Sequence, residues 1–392
     1  MSAPATTILG RVSPLRRLTA VCLAVGLGSA ACAEGPAVTD AAVETAIQRA
    51  VTWIKAQRQD ARHWEDEIST EDRFWGGTSG LAVLALLYAG EDPRTDFMDS
   101  SLDWLSSQAL RGTYTYGTRA HALALVPGTK YSSRLESDLE WLVHNVWPSD
   151  GSTPGAYGYN PRPQGTTNGQ WDNSNSQYGV LGVWMATDAG LSVPTSYWQN
   201  VGGHWLRHQQ PDGGWGYHAQ DASTGSMTAA GLATLFVVLD RIYADRPSDA
   251  VQLKAAIQSG LTWLGREFTP AKNPFGEARW LYYYLYGVER VGRASGYKYF
   301  RDNDWFREGA AFLLEKQDPD GHWRGSGALM SDLRNTCFAL MFLCHGRAPL
   351  LFNKLQHGDD WDDKLRDAAG LTHFTQRTLE RLLNWQIVRL DG

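Results

Sequence analysis

One Asp-x-Asp-Asp string occurs in this sequence, Asp360-Trp361-Asp362-Asp363. The middle carboxyl of such a string, when buried among groups that make it a strong acid, can protonate an alkene. Aromatic rings then hold the resulting cation by cation–π contact. Here the string stands beyond the last apolar helix, close to Gly358, Lys364 and other charges, which is the setting of a solvated loop. Zinc chemistry would need thiolate, imidazole and carboxylate ligands at suitable spacing. Asp332 and Cys337 are five residues apart and His345 lies eight further on. No Asp-x-Cys pair is formed, and Cys337 at the start of an apolar helix reads as a packed thiol. The sequence therefore predicts no metal, and no cofactor motif appears.

Paired carboxylates of different acidity could instead cleave a glycosidic bond. Asp172, Glu277 and Asp332 are the candidates, since each precedes or opens an apolar helix. The same positions suit ordinary caps and ion pairs, Glu277 with Arg279 and Asp332 with Arg334. The polar residues expected at one rim are Tyr116, Arg119, His121, Asn173, Asn175, Gln177, Arg279 and Asn335. Free N–H groups and helix dipoles at that rim favour an anionic ligand. His121, alone on an apolar helix, reads first as a core histidine. Asn175 and Gln177 form the leading pair.

These residues require a scaffold of helix pairs. The first helix of each pair carries an aromatic followed by an aliphatic residue: Trp53-Ile54, Trp104-Leu105, Trp141-Leu142, Trp205-Leu206, Trp263-Leu264 and Phe312-Leu313. Residues 41–57 show apolar side chains at helical spacing, the pattern of an outer amphipathic helix. The second helices, predicted over 78–88, 118–125, 176–185, 228–239, 280–291 and 335–344, are apolar nearly all round and so buried on both sides. Asp172 or Ser174 is expected to cap the third of these, and Thr118 and Thr228 to cap two others. Six amphipathic and six buried helices in alternation predict an all-α fold, an α/α toroid over 41–345. A C-terminal extension, 346–392, packs on it or trails it. No segment alternates with period two for long, so sheet is minor.

Two segments repeat, Leu206-Arg-His-Gln-Gln210-Pro-Asp-Gly213-Gly-Trp215 and Leu313-Leu-Glu-Lys-Gln317-Asp-Pro-Asp-Gly321-His-Trp323. This unit resembles the repeat of the prenyltransferase and squalene-cyclase superfamily. The resemblance implies the toroid fold, with Gln210, Trp215, Gln317 and Trp323 as structural staples. Asp172-Asn-Ser-Asn-Ser-Gln177, Gly225-Ser-Met-Thr228, Tyr282-Tyr-Tyr-Leu-Tyr-Gly-Val-Glu-Arg290 and Asn335-Thr-Cys-Phe-Ala-Leu340 look similar to an uncharacterised exported bacterial branch. So do Arg347-Ala-Pro-Leu-Leu-Phe-Asn-Lys354 and Asn384-Trp-Gln-Ile-Val388.

The chain has 392 residues and a formal net charge of -6, with no long basic run, which argues against nucleic acid as a partner. Trp outnumbers Phe by 17 to 12, which suits loop anchors or a lined cavity. Residues 1–33 read as an export signal: Arg11, Arg16 and Arg17, an apolar stretch over 18–28, then small residues. Cleavage before Cys32 with lipidation and plain cleavage after Ala31 or Ala33 both fit. A lipid anchor at Cys32 would be the only membrane attachment. Cys337 and Cys344, seven apart on one helix, are too far apart to pair. The expectation is an exported toroid, in the periplasm or cell envelope. It would bind an apolar or amphipathic ligand such as an isoprenoid, or an envelope protein partner. The alternatives are a terpene-cyclase-like enzyme and a carbohydrate-active barrel.

Overall fold

All six predicted anchor pairs fall on outer helices. The computed structural model describes residues 38–65, 73–244, 249–326, 328–344, 348–357, 366–379 and 383–389. The export-type segment 1–33, Asp360-Trp361-Asp362-Asp363 and His345 lie outside them. In chain order the helices are α1 (Asp40–Ala56), α2 (Gly77–Tyr88), α3 (Asp96–Ser107), α4 (Thr113–Ala124), α5 (Ser132–Asn145) and α6 (Asn173–Asp188). They continue with α7 (Thr195–Arg207), α8 (Gly225–Ile242), α9 (Val251–Glu267), α10 (Leu281–Ser295), α11 (Trp305–Lys316) and α12 (Asp332–Cys344). Odd-numbered helices are outer and even-numbered ones inner.

Helix α1 shows the outer pattern. Val43, Ala46, Ile47, Ala50, Val51 and Ile54 are buried along one stripe, and Thr39 caps the start by accepting from the Ala42 amide. Inner helices are covered all round: every residue of α2 from Thr78 to Leu86 is buried. Helix α8 is long and apolar enough to cross a membrane, but it lies inside the protein. Cys337 and Cys344 are both buried on α12.

Each inner helix packs on the next, α2 on α4 and onward to α12, and α12 packs on α2 and α1. Side chains secure this last joint. Gln317 donates to the Ala46 carbonyl at 2.9 Å, Arg49 donates to the Asp318 carbonyl at 2.6 Å, and Trp53 stacks on His322 with centroids 5.0 Å apart. The hairpins therefore form a closed ring.

The repeat is the staple within three of the hairpins. Trp215 Nε1 donates to the Trp205 carbonyl at the end of α7, and its amide donates to Thr228 Oγ1 on α8. Trp323 does the same with the Leu313 carbonyl and Thr336. Trp64 makes a third copy, with the Ile54 carbonyl and Ser79. The register corrects one predicted assignment. Gln317 donates to the Gly321 carbonyl and to the neighbouring outer helix. Its counterpart is Gln209, which donates to the Gly213 and Ala256 carbonyls. Gln210 instead reaches the Ala219 carbonyl. Gln209 lies six residues before its Trp, as Gln317 does, and this spacing carries the geometry.

Four inner helices begin three or more residues earlier than their apolar pattern predicts, among them α12 at Asp332. Helix α4 starts at Thr113, α6 at Asn173 and α8 at Gly225. Asp172 is a cap as expected, but of a helix opening at Asn173. Thr224, not Thr228, caps α8, and Thr118 lies within α4. The first turns of α4, α6 and α8 are rich in Gly, Ser, Asn and Thr, and tertiary contacts hold them helical. The Asn173 amide nitrogen donates to the Gly216 carbonyl, and the Asn273 side chain accepts from the Ser226 amide.

Helices α4 and α6 approach most closely at glycine. A methyl at Gly182 would sit 2.8 Å from the Gly117 Cα, and one at Gly117 would strike the Tyr178 carbonyl. Backbone cannot yield there cheaply. Gly117→Ala is expected to destabilise the protein by about 1–3 kcal/mol, read from urea denaturation. A change below about 0.5 kcal/mol would show that the two helices can part.

Among the described residues, sheet is confined to two places. A short hairpin pairs β1 (Tyr299–Phe300) with β2 (Asn303–Asp304). The C-terminal extension forms β3 (Leu350–Gln356), α13 (Asp367–Leu379) and β4 (Asn384–Arg389), with β3 and β4 parallel. This unit docks on the α8 and α10 side. Arg366 donates to both Asp240 oxygens at 2.7 and 2.8 Å, and the Ile387 amide donates to the Gly296 carbonyl.

Candidate functional site at the mouth of the ring

The longest loop leads into α6 and brings Asp172 to the mouth formed by the inner-helix N-termini. Its Oδ1 accepts from the Asn175 amide at 2.8 Å and from Ser174 Oγ, and its Oδ2 accepts from Asn175 Nδ2 at 2.7 Å. Burial pushes this carboxyl above the usual range, and the Ser174 and Asn175 hydrogen bonds pull it partly back. Two tyrosines stand beside it. Ser174 Oγ, its proton on Asp172, lies 3.3 Å from the Tyr217 hydroxyl, and Tyr217 pairs with the Tyr159 hydroxyl at 2.8 Å.

Rings continue from there across the ring's axis. Phe74 meets Tyr159 edge-on at 6.0 Å, and Tyr159 stacks on Tyr114 at 5.9 Å. Tyr114 lies 4.4 Å from Tyr178, which stacks at 6.1 Å on Tyr283 of α10. Tyr283 touches Trp280 and also Phe338 of α12. Phe74, Tyr114, Tyr159, Tyr217 and Trp280 keep part of their surface open, whereas Tyr178 and Tyr283 are buried.

Below the rings the axis is filled. Gln177 donates to the Tyr283 hydroxyl and accepts from Arg290, so one side chain of α6 spans to α10 past the intervening α8. Arg290 lies over the Tyr286 ring. Further down, Arg293 faces Glu289 at 3.6 Å and donates to the Tyr88 hydroxyl, which contacts His121 Nε2 at 3.1 Å. Burial, with Arg293 and Arg290 close by, lowers the His121 pKa to about 3, so the imidazole is neutral.

The eight predicted rim residues thus occupy different places. Asn173, Asn175 and Gln177 lie in the first turns of α6, beneath the mouth, and all three are 0% exposed. Asn173 is structural in its contacts, donating to the Gly216 carbonyl and meeting His204 Nε2 at 2.8 Å. Asn175 is fully buried with Oδ1 lacking a donor. His121 lies at the far end of the axis. Asn335 opens α12 and donates to the Arg324 carbonyl. Arg279 pairs with Glu277 at 2.8 Å and lies over Trp280 at the rim. Tyr116 and Arg119 face outward from α4. Tyr116 stacks on Trp141 of α5 at 3.9 Å, and Arg119 is sealed against Asp138 of α5.

The three carboxylates also separate. Asp172 is 3% exposed, whereas the Glu277 and Asp332 side chains are 63% and 51% exposed. Asp332 accepts from the Gly325 amide and approaches His322, while Arg334 turns to Thr78. The sequence did not single out Tyr114, Tyr159, Tyr178 or Tyr217 as site residues, and Tyr283 and Arg290 entered only within a segment quoted for its resemblance. The signal for part of this set was present: Tyr283, Tyr286, Arg290 and Arg293 recur along one face of α10.

No protein-family model matches this sequence, and no curated protein does. Solved structures match over most of their length. The type II terpene cyclase MstE from Scytonema aligns with 13% identity and a TM-score of 0.50, covering 78% of this chain and 98% of that one. A possible member of the GH105 family from Klebsiella pneumoniae subsp. pneumoniae MGH 78578 aligns with 12% identity and a TM-score of 0.52, covering 79% and 93%. At these identities the likeness shows architecture, and with the closed ring of six hairpins it establishes this chain as an α/α toroid.

Proposed function

We propose that the mouth of the toroid binds an amphipathic small molecule. An apolar or aromatic body would lie against Tyr159, Phe74 and Tyr114, and a hydrogen-bonding group would meet Tyr217. The observation that carries this reading is the convergence of partly open rings on a mouth whose polar groups, Tyr159, Tyr217 and Ser174, are held in one network. Aromatic faces of this kind supply apolar area and a fixed orientation at small entropic cost. The filled axis makes the site shallow, so a long isoprenoid would enter only by its head.

A binding role is favoured over proton transfer by the state of Asp172. Both of its oxygens serve the α6 cap, whereas a general acid needs its proton aimed at substrate. One observation favours the enzymatic alternative: Asp172 is a buried acid beside aromatic rings. Export to the periplasm or envelope, read from residues 1–33, belongs to the same proposal.

The test is native mass spectrometry with organic extraction, on protein purified from its own host. A co-purifying small molecule at near-stoichiometric amount is expected, and Tyr159→Ala is expected to reduce it at least ten-fold while the protein stays folded. Retention unchanged in Tyr159→Ala, or repeated absence of any bound molecule, sinks the reading. Asp172→Asn separates the alternatives, because binding should survive it while acid catalysis on the extracted compound should not.

A further inference from the structure

A cavity of about 480 Å³ lies between the toroid and its C-terminal β3–α13–β4 unit, away from the mouth. Its size falls in the range of small-molecule sites. The floor is apolar: Phe236 of α8, Ile257 and Leu261 of α9, and Trp385 of β4. The rim is cationic, with Lys254 of α9, Lys354 of β3 and Arg366, against a single lining acid, Asp367.

These cations are not equivalent. Arg366 is committed to Asp240 and to the Ala294 carbonyl, and its guanidinium lies over Phe236 and Trp385. It is the clamp that holds the C-terminal unit in place and so shapes the cavity. Lys354 pairs with Asp367 at 2.7 Å. Lys254 is exposed and has no acidic partner among the described residues. Among the described residues the rim therefore carries one positive charge without an acidic partner, over an apolar floor.

We propose that this cavity binds an amphipathic anion. Its single anionic head would sit at Lys254 and Lys354, and its alkyl or fused-ring body on Trp385, Phe236 and Leu261. The charge selects an anion over a neutral molecule, and the floor selects a tail over a simple inorganic ion. The site is separate from the mouth and does not depend on the function proposed there.

The test uses the full chain and 11-(dansylamino)undecanoate as fluorescent probe. The probe is expected to bind with enhanced emission, and oleate below its micelle concentration is expected to displace it at least ten-fold better than oleyl alcohol. Lys254→Glu, an exposed change, should weaken oleate at least ten-fold. Gln258→Trp, at the rim, should exclude acid and alcohol alike. Tyr159→Ala should leave both unchanged. Failure of the folded wild-type protein to bind the probe overturns the proposal, as does equal displacement by alcohol and acid. Unaltered oleate binding in Lys254→Glu does so too. Adsorption to phosphatidylglycerol vesicles without binding of the monomeric probe would assign the charge to surface attraction, and also overturns it.

Discussion

Arg119→Ala is expected to lower the free energy of unfolding by about 3–5 kcal/mol, the largest single-residue effect anticipated here. Arg119 and Asp138 are both 0% exposed. The guanidinium makes a two-pronged contact with the carboxylate at 2.8 and 2.6 Å. It also donates to the Leu105 and Gln108 carbonyls, which close α3. One side chain on α4 thus satisfies groups on two outer helices. Truncation strands a buried carboxylate and removes one donor from each of the two carbonyls. The double variant Arg119→Met with Asp138→Leu removes both charges, and should recover much of the loss. Urea titrations of the three variants decide the matter. A loss under about 1 kcal/mol for the single variant would mean that water reaches the pair. The same measurement bears on ligand binding: if Arg119→Ala loses bound ligand, it should do so only in proportion to unfolding.

Acid should unfold this protein through two histidines before its carboxylates titrate. His121 and His204 are 3% and 0% exposed. Burial, with nearby positive groups, lowers the pKa of His121 to about 3 and that of His204 well below its ordinary value. In the unfolded chain each takes up a proton near pH 6.5. The folded state binds fewer protons, so the stability is present above about pH 6.5 and is lost as pH falls toward the folded values. Each histidine contributes a slope of about 1.4 kcal/mol per pH unit in that window. Asp172 and Asp138, whose carboxyls burial raises, work in the opposite sense, adding stability as pH falls toward the carboxylate range. Urea midpoints at pH 7, 6 and 5 should fall steeply for the wild type. His204→Gln retains a donor for Asn173 and should flatten the slope, leaving the contributions of His121 and His208, whose pKa burial also lowers. An equally steep fall in that variant would place the acid sensitivity elsewhere.

The outer ring was legible because its helices obey a local rule: a buried stripe and an aromatic-aliphatic pair, joined on α1, α7 and α11 by a Trp ten residues beyond the carbonyl it binds. The inner helices were legible as apolar runs but not at their starts. Asn173-Ser-Asn-Ser176 reads as a turn because these side chains compete for backbone bonds in isolation. In the ring they are buried, and neighbouring loops supply the partners. Of the site, Asp172, Asn175 and Gln177 were named from sequence, while the tyrosines around them were not. Tyr116 was chosen and Tyr114 passed over. Two residues on a helix differ by about 200° in direction, so one faces Trp141 and the other the mouth. The parallel β3–β4 pair was hidden for a different reason. Leu350-Leu-Phe-Asn-Lys-Leu-Gln356 is half-exposed and lacks clean alternation, and its partner strand lies a helix away in sequence.

The joint between α12 and α1 has a kinetic consequence. An open stack of hairpins can shed its terminal unit and unravel from there. Here Gln317 binds the carbonyl of Ala46, so the first hairpin is also a neighbour of the last and no hairpin of the ring is terminal. Loss of any one hairpin exposes two interfaces at once. Unfolding should therefore proceed by rupture of the circle rather than by peeling. A permuted chain, cut in the loop between α5 and α6 and joined across Asp40 and Cys344, would then keep most of its unfolding barrier.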